Sequence, residues 1–100
     1  MLYQQGDVLI IKKNINIINA TKLNHVVLAE GEATGHCHMA DPENAELLKL
    51  GEQIILNVFG KSATITHQEH NKIEVPNGIY FIDLVKEYDH FLEESRKVID

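Results

Sequence analysis

The stretch LLKLGEQIILNV, residues 47–58, contains two apolar runs separated by Gly51 and Glu52. Such runs joined by a two-residue turn predict a β-hairpin, in which Gly51 supplies the positive φ that the turn requires. Over the whole chain, twelve Ile and seven Val lie in short runs between Gly, Asn and Pro residues. Because β-branched side chains fit a pleated surface and lose rotamer freedom in a helix, the sequence predicts a mainly β fold.

Further strands are predicted on both sides of the hairpin. We expect them at residues 5–13, 25–39 and 62–67, and at 73–75 and 79–88 around a turn at 76–78. Seven or so strands at this spacing are typical of a small barrel or sandwich. Residues 41–46 could instead begin a short helix, because Asp41 suits an N-cap and Pro42 the first helical position. Apolar residues at helical spacing also leave a C-terminal helix open at 89–99.

Length and composition fit one small β-barrel domain over residues 1–100, since 44% of the chain is hydrophobic and no linker or repeat divides it. The net charge of −6 disfavours nonspecific binding to nucleic acid or to anionic lipid. No apolar run approaches the roughly 20 residues of a membrane helix. Cys37 is the one cysteine, and the N-terminal residues lack a signal-peptide pattern. We therefore expect a cytoplasmic protein without a membrane span.

Histidine is the compositional outlier, because four of the six histidines form two close pairs, His36 with His38 and His67 with His70. On a strand, His-x-His places two imidazoles on one face, about 6 to 7 Å apart at their Cα atoms. His67 continues the inward alternation of Ile65, and His70 lies in the adjoining turn. Nitrogen ligands suit a divalent transition metal such as zinc, iron, manganese, nickel or copper. The two pairs together predict a shared metal pocket.

Carboxylates near these pairs are candidates for proton transfer or for a fourth metal ligand. Glu69 and Glu32 are predicted catalytic groups, with His70 as a third. Glu30 and Glu43 are further candidate ligands, although a solvated surface carboxylate is the commoner role for each. The remaining titratable groups have plainer interpretations. His25 and His90 are read as structural or surface residues, and Cys37 as a small buried hydrophobe.

The spacing of the first histidine pair resembles the first motif of the cupins, small metal-binding β-barrels. Gly31, His36, His38, Glu43 and Gly51 follow the order of that motif. One residue fewer precedes the first histidine, and one more precedes the last glycine. The second cupin motif has Pro-x-Gly with a histidine three residues later, where this chain has Phe81. The resemblance implies a metal-binding barrel in which His67 or His70 replaces the missing ligand.

The chain also resembles small uncharacterised prokaryotic and phage-type proteins that share four short motifs. These are Gln-Gly-Asp-Val at 5–8, Gly-Glu-x-Thr-Gly-His-x-His at 31–38, His-x-Glu-His at 67–70 and Glu-Tyr-Asp at 87–89. This resemblance covers most of the chain and implies no particular activity.

Several functions agree with these observations. The first is a metal-dependent enzyme acting on a small anionic substrate, either a hydrolase of the phosphodiesterase type or an enzyme with cupin-type chemistry. The second is a metal-independent nuclease or cyclic-nucleotide phosphodiesterase, in which two histidines act as base and acid, with Lys61 or Lys72 and the hydroxyls of Thr34 or Thr66 assisting. The third is a non-catalytic module that binds a metal or a small ligand.

Self-association is expected in each case, because a small β domain must protect its edge strands. Tyr80, Phe81, Tyr88, Phe91 and Ile99 could form an apolar homodimer surface, or could equally be core residues. The predicted partners are therefore a small-molecule or nucleotide substrate and a second copy of the chain.

Overall fold

The computed structural model describes residues 1–30 and 35–85. The strands are β1 (Leu2–Gln5), β2 (Val8–Lys12), β3 (Thr21–Lys22), β4 (Val27–Glu30), β5 (Cys37–Ala40), β6 (Ala45–Leu50), β7 (Gln53–Thr66) and β8 (Ile73–Leu84). They form one antiparallel sheet in the order β1-β2-β8-β7-β5-β4, while β6 pairs with β7 and β3 with β6. The mainly β class is thus confirmed, and the described residues contain no helix.

The predicted hairpin is present as β6 and β7, paired from Ala45 opposite Val58 to Leu50 opposite Gln53. Gly51 has a φ of 64° in the connecting turn. Strand β7 is 14 residues long and continues past the hairpin. Past the part of β7 that pairs with β6, the same edge of β7 pairs with β5, with Thr66 opposite Met39 and Ile65 opposite Ala40. The end of β7 therefore lies beside β5.

The turn predicted at 76–78 is wrong, because these residues lie inside β8. Val58 pairs with Gly78 and Ser62 with Pro76, so residues 59–61 of β7 lie opposite Asn77 alone. The surplus residues form a bulge in β7, and the Asn77 side-chain amide donates a hydrogen bond to Gly60 O at 2.9 Å. The irregularity that Pro76 and Gly78 indicate is therefore a bulge in the partner strand β7, and β8 continues through these residues.

Two other segments differ from the predicted strands. The strand predicted at 5–13 begins at the last residue of β1, and Gly6 and Asp7 form the β1–β2 turn, in which Gly6 has a φ of 59°. Within the strand predicted at 25–39, the described residues belong to two antiparallel strands, β4 and β5, instead of one extended segment. Residues 42–44 form a turn before β6, so no helix begins at Asp41. The predicted C-terminal helix at 89–99 lies outside the described residues.

The sheet curls over itself. Strands β1 and β5 are four positions apart in the strand order, which is about 19 Å in a flat sheet. Even so, the side chains of Gln5 and His38, on these two strands, are hydrogen-bonded. The curl therefore brings the two ends of the sheet together. Within the described residues no backbone pairing joins β1 to β4 or β5, so the sheet does not close as a barrel and fits the sandwich alternative.

The core lies inside this curl. Its buried members are Val8, Ile10, Leu28, Ala40, Ala45, Leu47, Leu56, Val58, Ala63, Ile65, Val75, Tyr80 and Ile82. The hydroxyl of Tyr80 donates to Pro76 O at 2.7 Å, which satisfies its one polar group. None of the described residues forms a helix with the length and hydropathy needed to span a membrane.

Candidate functional site

Four histidine rings from two separate chain segments lie together where the start of β5 meets the end of β7. The ring centroids of His38 and His67 are 4.2 Å apart, and those of His36 and His67 are 5.8 Å apart. His70 lies 4.6 Å from His67 and 5.9 Å from His38 by the same measure. The pairing of β5 with the end of β7 brings the two segments together. We refer to His36, His38, His67 and His70 as the histidine cluster.

His38 is the buried centre of this cluster, with 2% of its surface exposed. Its Nδ1 lies 2.8 Å from Oε1 of Gln5, which is also buried. Gln5 Nε2 lies 2.9 Å from both Ile65 O and Asn71 O. Because carbonyl oxygens only accept hydrogen bonds, the amide nitrogen of Gln5 must face them and its oxygen must face His38. His38 Nδ1 therefore carries a proton, and in the neutral ring Nε2 has a free lone pair.

This free nitrogen of His38 faces a carboxylate. Asp7 Oδ1, in the β1–β2 turn, lies 3.6 Å from His38 Nε2, and the Asp7 side chain is 65% exposed. Burial lowers the pKa of His38, the nearby His67 lowers it further, Asp7 raises it, and His70 lowers it. The net direction is down, so two electron-rich atoms face each other when the ring is neutral. The position between them suits a cation.

A second imidazole–carboxylate pair lies at the edge of the cluster. His36 Nδ1 is 3.4 Å from Glu69 Oε2, and the Glu69 side chain is 65% exposed. The backbone N–H of Glu69 donates to Nδ1 of His67 at 3.0 Å. His67 therefore carries its ring proton on Nε2 in this arrangement. The backbone N–H of Cys37 also donates to Gln68 Oε1 at 2.9 Å, which ties residues 67–70 to β5.

Gly6 gives His70 its place in the cluster. A Cβ atom at Gly6 would lie 2.6 Å from His70 Nε2 and 2.9 Å from its Cδ2. The φ of 59° at Gly6 also places it in the left-handed region that favours glycine. The bare backbone of the β1–β2 turn therefore serves as the surface on which the His70 ring lies.

None of the other described candidate residues has a ring or carboxylate contact with the four clustered histidines, and two candidates lie outside the described residues. Glu32 and His90 lie outside the described residues. Glu30 and Glu43 are exposed, and Glu43 belongs to the turn before β6. Cys37 is a free, half-exposed thiol at the start of β5. His25 is exposed, and its Nδ1 accepts a hydrogen bond from Val27 N at 3.1 Å.

Gln5 and Asp7 are the site residues that the sequence reasoning missed. Gln5 immediately precedes the β1–β2 turn and Asp7 lies in it, and the sequence signal of this turn is Gly6 followed by a polar residue. Within residues 1–30 and 35–85, no three His, Cys, Asp or Glu side chains are arranged to hold one metal ion. The cluster thus brings the candidate ligands into one place without arranging three of them around a single point.

The fold and the cluster define a small, curled antiparallel β protein with a histidine-rich site at one end. The chain belongs to the family described as the domain of unknown function DUF8820, whose family model matches residues 4–84. The matched region includes all four clustered histidines together with Gln5 and Asp7. No curated protein matches the chain, and no solved structure matches it.

Replacing Gly6 by alanine should destabilise the protein and displace His70. Gly51→Ala is the matched control, because Gly51 has a similar φ of 64° but no atom within 4 Å of an added Cβ. Both variants should lose about 1 kcal/mol or somewhat more of unfolding free energy from backbone strain. Only Gly6→Ala should also shift the ring resonances of His70 in NMR spectra. His70 ring resonances that stay at their parent positions in Gly6→Ala would contradict the close approach.

The stability of the metal-free protein should fall as the pH falls below about 6.5. The pKa of His38 is lowered in the folded state from its ordinary value of 6.5, so the unfolded chain binds the proton more readily. This contribution is complete above pH 6.5 and is lost on acidification. Urea unfolding of the parent, of His38→Gln and of the exposed control His25→Gln measures it. On acidification, His38→Gln should lose less unfolding free energy than the parent or His25→Gln does. If the unfolding free energy of all three proteins fell in parallel with pH, His38 would not be the group responsible.

Proposed function

We propose that the histidine cluster binds a divalent transition-metal ion and that the protein is a metal-dependent enzyme acting on a small anionic substrate. Zinc, iron, manganese and nickel are the candidate ions, because imidazole with an occasional carboxylate suits them. The observation that carries the proposal is the convergence of four imidazoles from two chain segments around a buried His38. The free Nε2 of His38 faces Asp7 Oδ1, so an ion between them would meet one imidazole nitrogen and one carboxylate oxygen.

His38 and Asp7 supply the first two candidate ligand atoms. In a tetrahedral site with bonds of about 2.0 to 2.1 Å, neighbouring ligand atoms are about 3.3 Å apart. The distance of 3.6 Å between His38 Nε2 and Asp7 Oδ1 is close to this value. The hydrogen bond from His38 Nδ1 to Gln5 is of the kind that fixes the tautomer of a metal-binding histidine.

His67 and His70 would complete the ligand set by turning their rings. His70 is exposed and His67 is half-buried, so both rings have room to rotate. At His67, binding through Nε2 moves the ring proton to Nδ1 and gives up the hydrogen bond from Glu69 N. Water can replace that bond, because Glu69 is exposed. His36 is the remaining candidate, and it reaches the ion only if it separates from Glu69.

The proposed chemistry needs a charged centre and a group that handles protons. A bound divalent ion polarises a substrate oxygen or lowers the pKa of a coordinated water toward 7. Glu69 is the best-placed described base, because its carboxylate is exposed to solvent and contacts His36. Glu32 and His70 remain the other proposed catalytic groups. Hydrolysis of a phosphodiester or a related small anion is the reaction class, with cupin-type chemistry as the variant that the cupin resemblance implies.

A metal-independent reaction is the second candidate, and the ring tautomers favour it. His38 presents a free Nε2, while the neighbouring His67 carries its proton on Nε2. One imidazole can thus accept a proton while the other donates a hydrogen bond to a nucleotide phosphate. A non-catalytic metal-binding or ligand-binding module is the third candidate. In each case we propose a cytoplasmic homodimer without nonspecific binding to nucleic acid.

Metal analysis of protein purified without an affinity tag tests the site. The parent should hold about one equivalent of metal, and His38→Gln and His67→Gln should each lose it. His25→Gln is the matched control and should retain the ion, because His25 is exposed and lies away from the cluster. Retention of metal in His38→Gln, or no saturable binding of Zn²⁺, Fe²⁺, Mn²⁺ or Ni²⁺ to the parent, would contradict the proposal.

A chelator distinguishes the two catalytic candidates. Hydrolysis of bis(p-nitrophenyl) phosphate by the parent should disappear with EDTA and return when the metal is restored, while the melting temperature stays similar. Activity that persists in EDTA but is lost in His38→Gln would favour the imidazole pair. Loss of the fold together with the metal, without turnover under any condition, would favour the structural module.

A further inference from the structure

A groove separate from the histidine cluster crosses β2, β8 and β7, and its volume is about 440 Å³. Its polar lining consists of two lysines and three amides, with an aromatic ring at one side. These residues are Lys12, Lys13, Asn14, Asn57, Asn77 and Phe59. No carboxylate from the described residues lines the groove, although the net charge of the chain is −6. The groove is therefore locally cationic on an acidic protein.

Phe59 is held in an exposed position by the bulge of β7. Its side chain is 53% exposed, whereas the neighbouring Val58 is buried. The backbone N–H groups of Phe59 and Gly60 both donate to Asn44 O at 3.0 Å. A Cβ at Gly60 would collide with the Asn44 side chain, so the backbone packs closely there. The bulge thus fixes the backbone of Phe59 and leaves its ring exposed to solvent at the groove.

The two lysines are supported by the sheet beneath them. A Cβ at Gly78 would lie 3.2 Å from Lys12 Cε, so the bare backbone of Gly78 gives the Lys12 stem its place. The ammonium of Lys13 lies 5.3 Å from the ring centroid of Phe81. The two lysines therefore approach the groove from different sides, Lys12 beside Gly78 and Lys13 beside Phe81.

The amides of the groove keep unused hydrogen-bonding capacity. Asn57 Nδ2 donates one bond to Glu46 Oε2 at 2.8 Å, and Asn77 Nδ2 donates one to Gly60 O. Each amide nitrogen has a second N–H. Glu46 itself is 3.7 Å from Lys22 Nζ, so its charge is balanced on the far side of Asn57. These amides can therefore serve a ligand that has polar edges.

We propose that this groove binds a small phosphorylated ligand with a planar ring, of the nucleoside monophosphate class. The ring would stack on Phe59, because an exposed aromatic side chain offers a face to any base. The phosphate would contact the lysines of the groove lining, which contains no carboxylate among the described residues. The volume of the groove is within the range of small-molecule sites, which begins at about 300 Å³. This proposal does not depend on metal binding at the histidine cluster.

NMR titration of the metal-free protein with adenosine 5′-monophosphate, adenosine and inorganic phosphate tests the proposal. We expect saturable shifts at the amides of Asn57, Phe59 and Asn77. Adenosine should bind about tenfold or more weakly than the monophosphate, because it lacks the charge-assisted contacts. Phe59→Ala should weaken the binding of the monophosphate by about fivefold or more while leaving the binding of inorganic phosphate unchanged. The double variant Lys12→Gln/Lys13→Gln should bind both anions more weakly. The exposed control Lys49→Gln should bind both as the parent does.

The results that overturn the proposal are equally specific. Absence of saturable shifts in the groove would refute it, as would shifts confined to the histidine cluster. Equal affinity for adenosine and the monophosphate would remove the role of the lysines. If the groove bound a single-stranded oligonucleotide but not the monophosphate, the proposed ligand class would be wrong. His38→Gln should bind the monophosphate as the parent does, so failure of the metal site leaves this test intact.

Discussion

The hydrogen bond between Gln5 and His38 is the interaction on which the site depends. It joins two strands that are not neighbours in the sheet, and both side chains are buried. Gln5 also binds the carbonyl oxygens of Ile65 and Asn71, at the end of β7 and in the following loop. One amide thus connects β1, β5 and the segment that carries the second histidine pair. A buried amide with a missing partner is costly, so this network favours one arrangement of the curled sheet.

The same network determines the electrostatics of the cluster. A proton on His38 Nδ1 leaves Nε2 as the only site for a further proton or a metal ion. Burial and the neighbouring His67 disfavour that proton, whereas Asp7 favours positive charge at the same position. Perturbed groups of this kind cluster at functional sites. Burial and two neighbouring imidazoles thus keep Nε2 of His38 unprotonated while a carboxylate faces it.

Local patterns predicted much of the fold, and nonlocal contacts explain the rest. The β6–β7 hairpin and the strand before His67 follow from apolar runs and one glycine turn, which the sequence displays directly. The turn expected at 76–78 was wrong because the bulge that accommodates Pro76 and Gly78 lies on another strand. The two histidine pairs were predicted to share one pocket from their clustering, but the contact that brings them together is the nonlocal pairing of β5 with the end of β7. Gln5 and Asp7 could not be found in this way, because the curl of the sheet brings them to His38.

Strand β7 lines the cationic groove near its bulge and ends at Thr66, directly before the segment that carries His67 and His70. Phe59 and His67 are eight residues apart, which is at most about 26 Å of extended chain. The bulge at 59–61 redirects this path, and the residues that line the groove and those of the cluster form two sets with no member in common. The two proposed sites can therefore be altered separately by substitution. At the cluster, Asp7 is exposed in the β1–β2 turn, so solvent reaches the cluster from this turn.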